Sequence, residues 1–159
     1  MTIKLNKGCC WKTQNKMQFP EQKDGKIKRP YKDNSMDCIL CRNVISHSDT
    51  KDVQQAISEI HRVLNTGAEC YLTLASKETL KFRQKEWPSV DENTKICMEE
   101  GPEYKVPHFY ADYNLVKEMF ENFKIVSITY IEEFCENNGV TNSSFHYHVL
   151  VRKNATKIY

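Results

Sequence analysis

The stretch from Met36 to Leu74 constrains the fold most. Met36-Asp37-Cys38-Ile39-Leu40-Cys41 is a short, nearly continuous apolar run, the pattern of a strand covered on both faces inside a parallel sheet. Ser48-Asp49-Thr50 then offer N-cap oxygens, and Val53, Ala56, Ile57, Ile60, Val63 and Leu64 repeat at the spacing of one helical face. Asn65-Thr66-Gly67 is expected to stop that helix through a left-handed cap, with Glu69 to Leu74 forming the next strand. A strand, a helix and a second strand this close in sequence form a crossover whose two strands lie parallel and adjacent.

The remaining pattern is arranged around that unit. Residues 1–35 hold Gly8, Pro20, Gly25 and Pro30 among many lysines and are expected to be a mostly irregular leader, with at most one short strand near Ile3 and Leu5. Residues 76–111 lack a clean period and read as an insertion, with a short helix over Lys77–Glu86. Leu115, Val116, Met119, Phe120 and Phe123 mark a second helix, followed by a strand over Lys124–Ile131. Phe145 to Arg152 alternates in period two, and the short polar segment before it, centred on Asn137-Asn138-Gly139, is too brief for a crossover helix. The last two strands are therefore expected to be antiparallel. Residues 154–159 form a tail.

Charge and cysteine usage exclude several functions. The net charge of +2 divides into +7 over residues 1–32 and −5 over the rest. A lysine-rich arm is most simply a solvated segment, and without regularly interleaved aromatics it does not point to nucleic acid. No apolar run approaches the roughly 20 residues of a membrane span, and no apolar signal segment opens the chain, which points to the cytoplasm. Seven cysteines are an odd count without secreted-domain spacing, so reduced thiols are expected. Cys38 and Cys41 form a C-x-x-C whose side chains a strand sends to opposite faces, and His146 and His148 share a strand face without a third ligand at sensible spacing. No metal site is expected.

The segments Pro30-Tyr31-Lys32-Asp33-Asn34-Ser35-Met36-Asp37, Asn43-Val44-Ile45-Ser46-His47 and Glu59-Ile60-His61-Arg62-Val63-Leu64-Asn65-Thr66-Gly67 resemble, in order and spacing, the class I S-adenosylmethionine-dependent methyltransferases of the type 11, small-molecule branch. His108-Phe109-Tyr110 before a helix is similar to that family's entry to its penultimate helix. The resemblance covers residues 30–153 and implies an α/β, partial Rossmann-like sheet, mostly parallel, with an antiparallel C-terminal strand. The chain would supply strands four to seven of the family's seven, so 36–153 reads as a truncated methyltransferase domain. By the same resemblance S-adenosylmethionine is the cofactor and a small molecule accepts the methyl group. Cys41 and Arg42 would border the cofactor, with His47 on the loop closing over it. His108 would be a weak catalytic candidate, positioning or deprotonating the substrate, and Trp87, Tyr104, Phe109 and Tyr110 would form a substrate lid.

One departure is large. The family's first strand ends in a glycine-rich loop that lets the backbone approach the cofactor, whereas Gly8 and Gly25 stand isolated. The resemblance thus leaves two expectations, an active methyltransferase and a catalytically inactive remnant. In either case the strand at 36–41 is left with an unpaired edge open to self-association. Asp91, Glu92, Glu99, Glu100 and Glu103 are expected to form a solvated acidic face.

Overall fold

The computed structural model describes residues 21–23, 26–28, 31–137 and 140–155. The Ile3/Leu5 strand, the isolated Gly8 and Gly25, the Asn138-Gly139 turn and residues 156–159 of the tail lie outside them. The backbone elements are, in order, β1 (Glu21–Lys23), β2 (Lys26–Lys28), β3 (Met36–Cys41), α1 (Thr50–Val63), β4 (Leu64–Ala75), β5 (Ser89–Asp91), β6 (Thr94–Ile96), β7 (Pro107–Phe109), α2 (Tyr113–Met119), β8 (Phe123–Asn137) and β9 (Val140–Lys153). Within the leader, β1 and β2 pair as a small antiparallel hairpin, where a mostly irregular segment was expected.

The central sheet has the order β3-β4-β9-β8. β3 and β4 are parallel, and β9 runs antiparallel to both β4 and β8. Three strands therefore point one way, and the last in sequence is inserted against them, antiparallel to β8 as the short connection between the two led one to expect. β8 and β9 are longer than the sequence pattern indicated, because they continue as a two-stranded ribbon beyond the end of β4 at Ala75. β3 pairs only with β4 among the described residues.

The crossover helix begins where its cap residues require. Asp49 accepts from Asp52 N at 2.9 Å, satisfying a donor that the first turn leaves without a helical partner. Its end differs from expectation. α1 stops at Val63 and the chain passes straight into extended backbone at Leu64. Gly67, at φ +80°, sits within β4, between the pairings Met36–Leu64 and Cys38–Glu69 where the register shifts. The glycine serves a strand irregularity, where a positive φ is tolerated without a Cβ, rather than a helix cap.

Arg62 locks the crossover. Its guanidinium contacts both Glu59 and Asp33 and donates to the Tyr31 carbonyl at 2.9 Å, while Asn34 N and Ser35 N donate to the carbonyls of Arg62 and Val63. Residues of the first and third sequence segments that carry the family resemblance are thus bonded to each other. They fix where β3 starts relative to the end of α1.

The core lies on one face of the sheet. Ile39 from β3, Cys70, Leu72 and Leu74 from β4, and Tyr147, Val149 and Val151 from β9 pack with Val53, Ala56 and Ile57 of α1, Val116 of α2 and Phe120 at its C-cap. The other face is different, and β3 corrects the expectation of a strand covered on both sides: Leu40 is 60% exposed and Cys38 is exposed. The helices pack on one side only, so the run buries Met36 and Ile39 and leaves Cys38 and Leu40 uncovered.

Two further corrections concern residues 76–111. Over Lys77–Glu86 the chain makes successive three-residue turns, such as Phe82 N to Thr79 O and Arg83 N to Leu80 O, in place of the expected helix. Thr79 explains why: its hydroxyl exchanges hydrogen bonds with both the carbonyl and the amide of Phe145 on β9, which pins the segment to the end of the sheet. Residues 89–109 then form a three-stranded sheet of order β5-β6-β7. This region also contributes to the core, because Phe109 and Ala111 are fully buried within it.

Candidate active site and lid

The carboxyl end of β3 is shaped by short polar contacts. Asn43, at φ +53°, donates its amide to Thr73 Oγ1 at 2.8 Å, and the Thr73 hydroxyl donates to Asn43 Oδ1 at 3.0 Å. Ser46 Oγ accepts from Ala75 N at 3.2 Å. These bonds hold loop 42–49 against the end of β4. Cys41 is half-buried, and burial pushes its thiol pKa up despite a backbone hydrogen bond from Ile45 that works the other way. Arg42 turns away and pairs with Glu133 of β8 at 3.1 Å.

The small sheet docks on this loop and on the start of α1. Asp91 of β5 accepts from Thr50 Oγ1 at 2.8 Å and Thr50 N at 3.3 Å, and from Asn93 N at 2.8 Å. Partial burial would raise its carboxyl pKa, but these hydrogen bonds outweigh it and leave Asp91 below the usual carboxylate range. A carboxylate there also complements the positive end of the helix. At the other side of the small sheet, Phe109 N donates to Ser46 O at 2.8 Å. That bond brings β7 alongside loop 42–49 and sets His108 beside His47.

The two imidazole rings have centroids 4.8 Å apart. Between them stands Glu103, from the turn joining β6 to β7, where Lys105 adopts φ +63° and donates its amide to Cys97 O at 2.7 Å. One carboxylate oxygen is 3.4 Å from His47 Nε2 and the other 3.5 Å from His108 Nε2. His47 is exposed and His108 buried, and His108 Nε2 makes no hydrogen bond. Burial lowers the His108 pKa to about 4, with His47 adding to the effect and Glu103 opposing it. The desolvation effect prevails, so the ring is neutral at pH 7 and a feeble general base.

The four aromatic residues expected as a lid separate into two kinds. Trp87, Phe109 and Tyr110 are buried, and Tyr104 is 45% exposed beside Lys105. Burial raises the Tyr110 pKa, and its hydroxyl has no hydrogen-bond partner. Of the acidic residues, Glu92, Glu99 and Glu100 are exposed as expected, Glu99 pairing with Lys81 at 2.8 Å, whereas Asp91 binds the start of α1 and Glu103 stands between the histidines. Nothing in their spacing marks Glu103 as different from Glu100.

A second polar cluster lies on the sheet face opposite the helices. Glu133 is 3.6 Å from His146 Nδ1 and 3.5 Å from His148 Nε2, Arg42 is its ion-pair partner, and the Tyr71 hydroxyl contacts His148 Nδ1. The two histidines expected to share a face do so, and Glu133, which the sequence did not single out, joins them. Burial lowers the His146 pKa.

The fold has known counterparts. The profile of the methyltransferase domain family matches residues 6–72, so the match takes in leader residues ahead of Pro30 as well as β3, α1 and the first part of β4. The resemblance is to the class I S-adenosylmethionine-dependent methyltransferases. Among solved structures, a methyltransferase of this type from Methanosarcina mazei superposes with a TM-score of 0.62 at 15% identity, over 79% of this chain and 63% of that one. A protein from Pyrococcus horikoshii OT3 gives 0.55 at 18% identity, over 80% and 56%. A methyltransferase from Anabaena variabilis gives 0.52 at 11% identity, over 73% and 49%. At these identities the likeness is one of fold, and the chain spans about three fifths of the length of the first two. No curated protein sequence matches it. No helix among the described residues is long and apolar enough to cross a membrane.

Proposed function

We propose that this chain carries the substrate-side half of an S-adenosylmethionine-dependent methyltransferase acting on a small molecule in the cytoplasm. The observation behind this reading is the junction of β3, loop 42–49 and α1. In an open α/β sheet, ligands occupy the crevice outside the carboxyl ends of the strands. There Cys41 and Asn43 would line the methionine end of the cofactor, and the β5-β6-β7 sheet with Tyr104 would cover a small acceptor. When bound, the cofactor supplies an electrophilic methyl group, and the protein's task is to align the acceptor with it. Neutral His108 suits positioning more than proton removal, and Arg42, drawn off to Glu133, would reach the cofactor only by leaving that pair.

The fit to the cofactor is one-sided. Among the described residues the glycines are Gly67, inside β4, and Gly101, between β6 and β7, and neither stands at the end of a strand that leads into a helix. The described residues do not form the wall that approaches the adenosine, and pairing through the open edge of β3 is one source of it. The second reading, a non-catalytic relative without cofactor affinity, draws on the same absence and on the unpaired edge.

Calorimetric titration of the folded chain with S-adenosylmethionine and with its demethylated product separates the two. Micromolar binding supports the enzyme, and a cooperatively melting chain that binds neither supports the relic. Size-exclusion chromatography over a concentration series tests the edge: a dimer is expected, and a monomer at every concentration would count against self-association.

A further inference from the structure

His47, Glu103 and His108 come from three segments, and nothing in the proposed methyl transfer requires them to meet. Their ligating atoms nevertheless all lie within 4.8 Å of one another. The separations carry information. A charge-assisted histidine–carboxylate hydrogen bond is about 2.7–2.9 Å long, whereas donors bound tetrahedrally to one zinc ion at about 2.0–2.1 Å stand about 3.4 Å apart. The observed distances are longer than such a hydrogen bond, 3.4 Å from His47 Nε2 to one Glu103 oxygen and 3.5 Å from His108 Nε2 to the other. His108 Nε2 is also buried with no hydrogen-bond partner, a state that is costly unless some group occupies the space beside it.

We propose that His47, Glu103 and His108 bind one divalent first-row transition ion, zinc foremost, leaving a fourth position for water or an oxygen or nitrogen donor of a small molecule. Two imidazoles and one carboxylate suit zinc and its neighbours, while calcium and magnesium prefer oxygen donors throughout. The exposed His47 gives the ion a way in. Because Glu103 rides on the β6–β7 turn and His47 on the loop after β3, the ion would fasten the small sheet to the mouth of the crevice. The site stands on these three groups alone, whether or not the chain binds S-adenosylmethionine.

The test uses the full chain, stripped of metal with chelator, reduced, and titrated with zinc chloride by calorimetry and with cobalt(II) by absorption. One ion per chain is expected, with tetrahedral cobalt bands and no thiolate-to-cobalt charge transfer, since none of the three ligands is a cysteine. His47→Ala and Glu103→Gln should each weaken binding at least tenfold and abolish the rise in melting temperature that zinc gives. Glu100→Gln, an exposed neighbour outside the cluster, should change neither. His47 is exposed, so its variant retains the fold even if a change at buried His108 does not. Absence of stoichiometric binding, an affinity unchanged in both His47→Ala and Glu103→Gln, or a thiolate band that places the ion on cysteines would overturn the proposal.

Discussion

The two faces of the central sheet are built from the same strands and treated in opposite ways. On the face beneath α1 and α2, Leu72, Val149 and Val151 are fully buried and the hydrophobic effect dominates. On the other face Leu40, Tyr71 and Leu150 form one cross-strand row, and Thr73, His148 and Thr129 the next. Of these only Thr73 is buried, and it is satisfied by Asn43. The first face holds the fold together. The second is where the chain can change charge, partner or ligand at small cost to stability.

The largest expected effect is on the helix side. Phe120→Ala, at a fully buried ring packed edge-on against Phe123, should lose about 3–5 kcal/mol in denaturant unfolding. Leu40→Ala, on the opposite face and largely exposed, should stay within about 0.5 kcal/mol. Equal losses from the two would mean that both faces are packed alike and would break the comparison.

The next effect concerns pH. His108 has a folded pKa of about 4 against an ordinary 6.5, so between those values the unfolded chain binds more protons than the folded one. Its contribution is fully present above pH 6.5 and is lost as pH falls toward 4, on the order of 1–2 kcal/mol after allowance for solvent screening. His146, with its pKa also lowered by burial, adds a loss of the same sign on the opposite face. Unfolding curves for His108→Asn and His146→Asn across this range should each be flatter than the parent, and the larger change should come from position 108.

Asp91→Ala should cost about 1 kcal/mol, the size of a lost helix-start contact, and should loosen the small sheet in hydrogen exchange while leaving β4 and β9 protected. A small effect is also expected of Arg42→Ala. Its side chain is 59% exposed, and a surface ion pair of this kind contributes about 1 kcal/mol or less. Any greater loss of stability would show that the Glu133 cluster is a structural element of its face.

Much of this fold was legible in the sequence because its signals are local. The apolar spacing from Val53 to Val63, the cap at Asp49 and the alternation from Phe145 to Arg152 each lie within one element, and each produced the expected element. The failures are equally specific. Gly67 read as a helix stop became part of a strand, and the segment 77–86 read as a helix was held in turns by Thr79, through hydrogen bonds to a residue 66 positions away. The run 36–41 looked covered on both sides because its composition does not record how many layers pack against it.

The sequence by itself determined the crossover, the antiparallel final strand and the resemblance to the methyltransferases, since periodicity and motif spacing are properties of contiguous residues. Only the tertiary structure decided that Glu103, rather than another carboxylate of its acidic segment, stands between His47 and His108, and that Glu133 joins His146 and His148. Those meetings depend on where the β6–β7 turn docks and on the register of β8 against β9. Backbone bonds such as Phe109 N to Ser46 O set that docking, and they leave no mark on side-chain spacing.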